Sequence, residues 1–219
     1  MIGFRQRSGR LVGVDTSRGR VDAPRAVIAA GPYSGQVVAL AGIQAPLTTV
    51  RRHRAGIKHD DRIPTWAPMT VSLDSGAHWR PEGPGAFLAW AGAFDEPPGE
   101  PRDDVPADWT FPALVLDAVA HFAPFWEQVA ADLKRDNVTL EAGQYTMTPD
   151  ARPLIGPCVE LGGLYLNAGY SGHGVMGSPA GARLLVDLIL GRASEDRNPF
   201  SPSRFAGRPR VEIGEKIVL

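Results

Sequence analysis

Between Gly163 and Gly191 the chain reads GLYLNAGYSGHGVMGSPAGARLLVDLILG, and this order commits the stretch to strand, glycine turn and helix. Leu164 to Ala168 is a short, nearly continuous apolar run, the pattern of a strand buried on both faces. Gly169, Gly172, Gly174 and Gly177 then fall within nine residues, where the backbone can turn sharply and main-chain N–H groups can approach a ligand. Ser178 suits an N-cap, Pro179 the first helical position, and Gly191 the stop. Leu184, Leu185, Val186, Leu188, Ile189 and Leu190 cover most of the helix circumference, which predicts a largely buried helix. Its positive N-terminal end would face the glycine turn and favour an anion.

Gly172-His-Gly-Val-Met-Gly177 satisfies the G-x-G-x-x-G pattern of dinucleotide folds. Such a fold needs a further strand after the helix and an acidic residue about 20 residues on. Beyond Gly191 the chain runs RASEDRNPFSPSRF, polar and proline-containing; Asp187 lies inside the helix and Glu195 has no strand beneath it. A free-standing dinucleotide fold is therefore set aside.

Several classes are excluded by composition. With 219 residues, 43% hydrophobic and 21% charged, the chain reads as an ordinary globular protein, and a net charge of −1 gives no attraction to nucleic acid or an anionic membrane. No apolar run reaches transmembrane length, and MIGFRQRSGR lacks the apolar core of a signal peptide, so the cytoplasm is the expected location. Cys158 is the single cysteine, set in apolar IGPCVEL, and reads as a small buried hydrophobe. No spacing of histidines and carboxylates resembles a metal site, so none is expected. The 25 glycines and 20 prolines point to many turns and short strands.

Leu11–Val14 and Arg20–Ala23 flank a polar turn and read as a hairpin; Ala26–Ala30 is a short strand ending at Gly31-Pro32. Ala30-Gly31-Pro32-Tyr33-Ser34 is a second ligand-facing turn by position, and a short helix follows from Ser34 to Gly42. At Pro46 the character changes. Strand-like runs at Met69–Leu73, Ala77–Arg80 and Ala86–Trp90 predict an antiparallel sheet. Arg51-Arg-His-Arg54 is a basic cluster, either a solvated face or part of a site. Residues 95 to 108 form an acidic, proline-rich loop, and Phe111 to Leu133 a helical stretch that Pro124 kinks or splits. His121 on that stretch reads as packed or exposed, not as a ligand.

Three stretches occur in fixed order: GQYTMTPDARPLIG from Gly143 to Gly156, GLYLNAGYSGHGVM from Gly163 to Met176, and NPFSPSRF from Asn198 to Phe205. Together they resemble the C-terminal signature of the D-amino-acid oxidase superfamily of flavoproteins, in the branch holding sarcosine oxidase, glycine oxidase and dimethylglycine dehydrogenase. Val27–Ser34 resembles the family's inner strand and turn. Ala77-His-Trp-Arg-Pro81 and Phe87–Trp90 resemble two strands of its substrate sheet. The family's opening strand, G-x-G-x-x-G turn and helix, which hold the ADP half of FAD, have no counterpart in these residues. Two readings stay open: part of a longer or split enzyme, or a shortened, non-catalytic remnant or accessory subunit.

The resemblance implies an α/β (α+β) fold with an antiparallel substrate-domain sheet inserted in an incomplete FAD-binding Rossmann-like domain. Residues 1–45 and 143–192 would belong to the FAD-binding part, 46–142 to the substrate domain and 193–219 to a C-terminal tail. It implies non-covalent FAD, with the flavin ring against Ser171, Gly172, His173, Gly174, Val175 and Met176, and with Ala30, Gly31, Tyr33 and Gly143 nearby. The cysteine that tethers FAD in sarcosine oxidases matches Gly143, and their carboxylate-binding lysine matches Met176. The implied reaction moves hydride from the carbon beside a substrate amine to flavin N5. Tyr145, His173 and Arg80 are the candidate catalytic side chains, with Arg52 a further candidate for a carboxylate. For Tyr145 a strand-packing role, and for His173 a packing role with only its N–H serving, stay open. The implied partners are a small amine or amino acid, no nucleic acid and no membrane, with a separate FAD-binding segment or self-association as alternatives for the expected exposed apolar surface.

Overall fold

Ser8 and Gly9 take positive φ values of 52° and 73°, a tight reversal joining β1 (Gly3–Arg7) to β2 (Arg10–Thr16). A second turn leads to β3 (Gly19–Asp22), so the expected hairpin is a three-stranded meander whose first strand the sequence pattern did not disclose. The computed structural model describes residues 1–94 and 96–205, and these fall into two units: 1–49 with 145–205, and 50–144. The part of the expected tail beyond 205 lies outside the described residues.

In the first unit β4 (Ala26–Ile28) leads through a short 3-10 turn at Gly31–Tyr33 into α1 (Ser34–Ala39), which closes as expected with the Gly42 N–H on Ala39 O. The second unit begins within β5 (Thr48–Ile57), which the basic cluster had masked. It continues with β6 (Thr70–Val71), β7 (His78–Glu82) and β8 (Gly85–Ala89). Helices α2 (Phe111–Ala120) and α3 (Phe125–Asp132) follow, divided by Pro124, whose ring has no N–H to continue α2. Strand β9 (Val138–Met147) then carries the chain back into the first unit, which ends with β10 (Leu154–Pro157), β11 (Leu164–Ala168) and α4 (Gly174–Ile189).

The second unit is a sheet in the order β6-β7-β8-β5-β9, antiparallel in the β6–β7, β7–β8 and β5–β8 pairs, with α2 and α3 on one face. Ala55, Ile57, Trp79, Ala86 and Leu88 point to that face and bury against Phe111, Val115, Val119 and Trp126. The alternate residues Arg54, Gly56, His78, Arg80, Phe87 and Ala89 take the opposite face, the strand period of two at work.

In the first unit β10, β11 and β4 form a sheet with one antiparallel and one parallel pair. Leu154, Leu164 and Leu166 enter a core with Leu11, Ile28, Val38 and Ile43. Strand β11 is thus buried on one face only: Tyr165 and Asn167 are half-buried on the side taken by α4, which corrects the expectation of burial on both faces. Helix α4 is corrected too. Only Gly181 and Leu185 are buried along it, while Val175, Met176, Val186 and Leu190 are exposed among the described residues.

Candidate functional site

Strands β4 and β11 pair in parallel, Leu164 opposite Ala26 and Leu166 opposite Ile28, so the chain leaves both at the same end of the sheet. In open α/β sheets that carboxyl end is where ligands bind. The turn after β4 holds Ala30, Gly31 and Tyr33. Gly31 has φ +54°, the Ala30 N–H donates to Ser34 Oγ at 3.1 Å, and Ser34 is fully buried.

The turn after β11 runs through Gly169 (φ +74°), Ser171 (φ +50°) and Gly172 (φ +87°). Ser171, although buried, is a non-glycine residue in the left-handed region, held there by its N–H on Thr146 O at 3.0 Å and its hydroxyl beside Gly169 O and the Thr148 N–H. This geometry feeds the chain into α4 five residues earlier than the Ser178 and Pro179 signals predicted. The N-cap is His173, and Pro179 lies inside the helix, where its missing N–H leaves the exposed Val175 carbonyl without its usual donor. The His173 ring is tied back by Nδ1 on Ser171 O at 3.0 Å. The N–H groups of Gly174, Val175 and Met176 form the first turn, where no intrahelical acceptor exists, and Val175 and Met176 are 94% and 65% exposed.

The glycines of G-x-G-x-x-G serve two purposes. Gly172 supplies a positive φ. Gly174, Gly177 and Gly181 line one face of α4 against Tyr170: an added Cβ would stand 3.7 Å from that side chain at Gly174 and 3.3 Å at Gly177, and would overlap the hydroxyl at Gly181. The Tyr170 hydroxyl donates to Asn167 Oδ1 at 2.6 Å. Two of the motif's glycines thus let an aromatic ring lock strand to helix, a purpose readable in the spacing 174, 177, 181 once helix is assigned.

The candidate residues divide between the units. Ala30, Gly31, Tyr33, Tyr145 and Ser171–Met176 lie in the first, where half-buried Tyr145 immediately precedes Thr146, the acceptor for Ser171. Arg80 and Gly143 lie in the second. Arg80 is on the helix-free face of the sheet, its Nη2 on Glu82 Oε1 at 2.8 Å and its guanidinium 5.1 Å from the Phe87 ring centre. Arg54 shares that face and pairs with Glu141, while Thr139, Glu141 and Gly143 follow one another on one side of β9. The basic cluster is accordingly engaged residue by residue: Arg51 holds Glu96 and the Pro106 carbonyl, and His53 stacks on Phe111 at 5.3 Å and accepts the Asp108 N–H.

His78, overlooked in the sequence, is buried beside Phe87, with Nδ1 donating to Gly76 O at 2.9 Å. Burial lowers its pKa, opposed by that carbonyl; burial and the Arg51 cation likewise lower that of His53. Cys158 is buried and its thiol pushed up to about 12 by desolvation. No group of three or more His, Cys, Asp or Glu among the described residues is arranged to hold a metal ion, and no helix among them is long and apolar enough to cross a membrane.

Residues 1–188 match the family model described as DAO, FAD dependent oxidoreductase. The chain belongs to that family. It is 29% identical to a glycine oxidase of Pseudomonas aeruginosa over 92% of its own length and 51% of the relative's. It is 31% identical to a D-amino acid dehydrogenase of Agrobacterium fabrum over 90% of its length and 44% of that protein. A 4-methylaminobutanoate oxidase of Paenarthrobacter nicotinovorans is 29% identical, with 90% of this chain and 24% of the oxidase covered. Among solved structures, the L-proline dehydrogenase of P. horikoshii superposes with a TM-score of 0.74 at 25% identity, over 93% of this chain and 52% of that one. The fold is that of the family's flavoenzymes, and the chain spans about half the length, or less, of these curated relatives.

Proposed function

We propose that these residues supply the flavin-ring turn and the substrate sheet of an FAD-dependent oxidoreductase acting on a C–N bond of a small amino acid or N-methylated amine. The observation that carries this reading is the start of α4: three first-turn N–H groups at the carboxyl end of the β4–β11 pair, beside exposed Val175 and Met176. That combination suits a flat, largely apolar ring with an electron-rich edge. When bound, FAD supplies the electron acceptor for oxidation of the C–N bond.

The N–H groups of Gly174, Val175 and Met176, with the helix dipole behind them, would hold the electron-rich edge of the ring and favour negative charge there. With Gly143 and Met176 at the positions of the family's tether and lysine, the cofactor would be held without a covalent bond there. Tyr145 offers a hydroxyl to a substrate carboxylate. Arg80, its charge shared with Glu82, provides a cation on the substrate sheet. Glycine oxidases and a 4-methylaminobutanoate oxidase among the relatives support a primary or N-methylated amino acid as substrate.

The ADP half of FAD is assigned to a segment outside residues 1–219. The exposed residues Pro179 and Val186 on α4 and Leu190 at its C-cap, with Val27 44% exposed on β4, are the apolar surface such a segment would cover. As a test, the chain is joined behind the N-terminal half of the Pseudomonas aeruginosa glycine oxidase, and flavin content and anaerobic bleaching by glycine and N-methylglycine are measured. Stoichiometric flavin bleached by either amine is expected. Loaded flavin that no amino acid or N-methylamine bleaches would overturn the catalytic reading, and tight FAD binding by the 219-residue chain alone would overturn the external ADP segment.

A further inference from the structure

Arg204 stands in the 3-10 segment Pro202–Phe205, far along the chain from the glycine turn. All five of its N–H donors are used. Nε and Nη2 hold the two Asp150 carboxylate oxygens at 2.9 and 2.8 Å; Nη2 also reaches Arg152 O at 2.7 Å, and Nη1 reaches Pro153 O and Ser201 O, each at 3.1 Å. The side chain is 15% exposed and lies 4.4 Å from the centre of the Phe205 ring. A lysine, with three donors and no planar fork, could not reproduce this set.

Two of the residues Arg204 grips, Asp150 and Arg152, meet Thr148, and Thr148 touches the glycine turn. Asp150 Oδ1 accepts the Arg152 N–H at 3.1 Å and lies 3.2 Å from Thr148 Oγ1, whose hydroxyl also has Arg152 O as an acceptor at 2.8 Å. Thr148 in turn meets the glycine turn on two sides. Its N–H points to Ser171 Oγ at 3.4 Å, and its methyl fills the space over Gly169, where an added Cβ would stand 2.6 Å away. Ala151 at φ +56° and Ser171 at φ +50° are both non-glycine residues in the left-handed region. Such conformations cost of order 1 kcal/mol or more and persist only where the surroundings over-determine them.

We propose that Arg204 is a positioning residue for the glycine turn, acting through Asp150 and Thr148 to hold Ser171 and the start of α4 in the shape that receives the flavin ring. This rests on the reading of Ser171–Met176 as the flavin-facing turn. The segment Asn198–Phe205 is then part of the site's scaffold. It has a second anchor that serves as a control: Asn198 Nδ2 donates to Ile155 O at 2.6 Å, and the Ile155 N–H to Phe200 O at 2.8 Å, both at Ile155 of β10, which pairs with Asn167 of β11.

Amide hydrogen exchange on the 219-residue chain separates positioning from general stapling. Arg204→Lys and Asp150→Asn are expected to speed exchange at the Thr148 and Ser171 amides about tenfold relative to Leu166 in β11. Asn198→Ala should act on Ile155 and leave the Thr148 and Ser171 amides at the Leu166 pace. Riboflavin titration of the same proteins should show about tenfold weaker binding for Arg204→Lys and little change for Asn198→Ala. Equal protection of Thr148 and Ser171 in wild type and Arg204→Lys would overturn the proposal, as would unchanged riboflavin affinity despite faster exchange. Failure of the wild-type chain to bind riboflavin would overturn the reading of the turn, and with it the flavin part of this proposal, while the exchange result would still decide the coupling.

Discussion

The Tyr170 ring lies across the glycine face of α4, its hydroxyl so close to Gly181 that any side chain there would overlap it. Gly181→Ala is therefore an overpacking change. It is expected to cost about 1–3 kcal/mol, read from chemical denaturation. Tyr170→Leu in the same chain should remove most of that cost, because the atoms in conflict are gone. Additive losses in the double variant would place the strain elsewhere.

Acid should destabilise the fold through its buried histidines. His53 and His78 both titrate below the usual histidine value, burial being the first cause for each. The unfolded chain therefore binds protons more readily than the native one once pH falls below about 6.5. Their contribution is complete above that pH and is lost as pH falls toward the native values. Urea unfolding at pH 7.5 and 5.5 is expected to show the loss, and His53→Gln should flatten the dependence. An equally steep profile in that variant would assign the acid sensitivity to other groups.

Cys158 should be inert in the native state. Its thiol is buried and pushed up to about 12, so the thiolate that reacts with alkylating agents is scarcely populated at pH 8. Iodoacetamide labelling is expected to track unfolding, with complete modification in denaturant. Rapid labelling of folded protein would contradict the burial.

Tyr145→Phe tests the substrate side of the proposed site. In an intact enzyme carrying this C-terminal part, loss of a hydrogen bond to a charged carboxylate is expected to lower kcat/KM roughly ten- to a hundredfold, with flavin content unchanged. Unchanged kinetics would return Tyr145 to strand packing.

Much of this was legible in the residues. The Gly163–Gly191 stretch does form strand, turn and helix, Pro124 does divide α2 from α3, and the runs around Thr70, His78 and Ala86 do pair as antiparallel strands. Strand β5 escaped notice because Arg51, Arg52 and Arg54 conceal its alternation of Thr49, His53, Ala55 and Ile57 toward one side. The start of α4 was misplaced because local capping signals at Ser178 and Pro179 were overruled by the positive φ values of Ser171 and Gly172, which long-range bonds to Thr146 and Thr148 sustain. Arg204 was visible only as a letter in NPFSPSRF.

The sequence by itself determined the local order of elements and the family, because periodicity, glycine placement and motif order are properties of neighbouring residues. Tertiary structure alone decided what the glycine-rich stretch is for. Only when β11 pairs with β4, Tyr170 lies on the glycine face of α4, and Arg204 closes on Asp150 do the first-turn N–H groups become an exposed, fixed set of donors. Those contacts join residues that are distant along the chain, and no pattern in neighbouring residues can encode a distance between them.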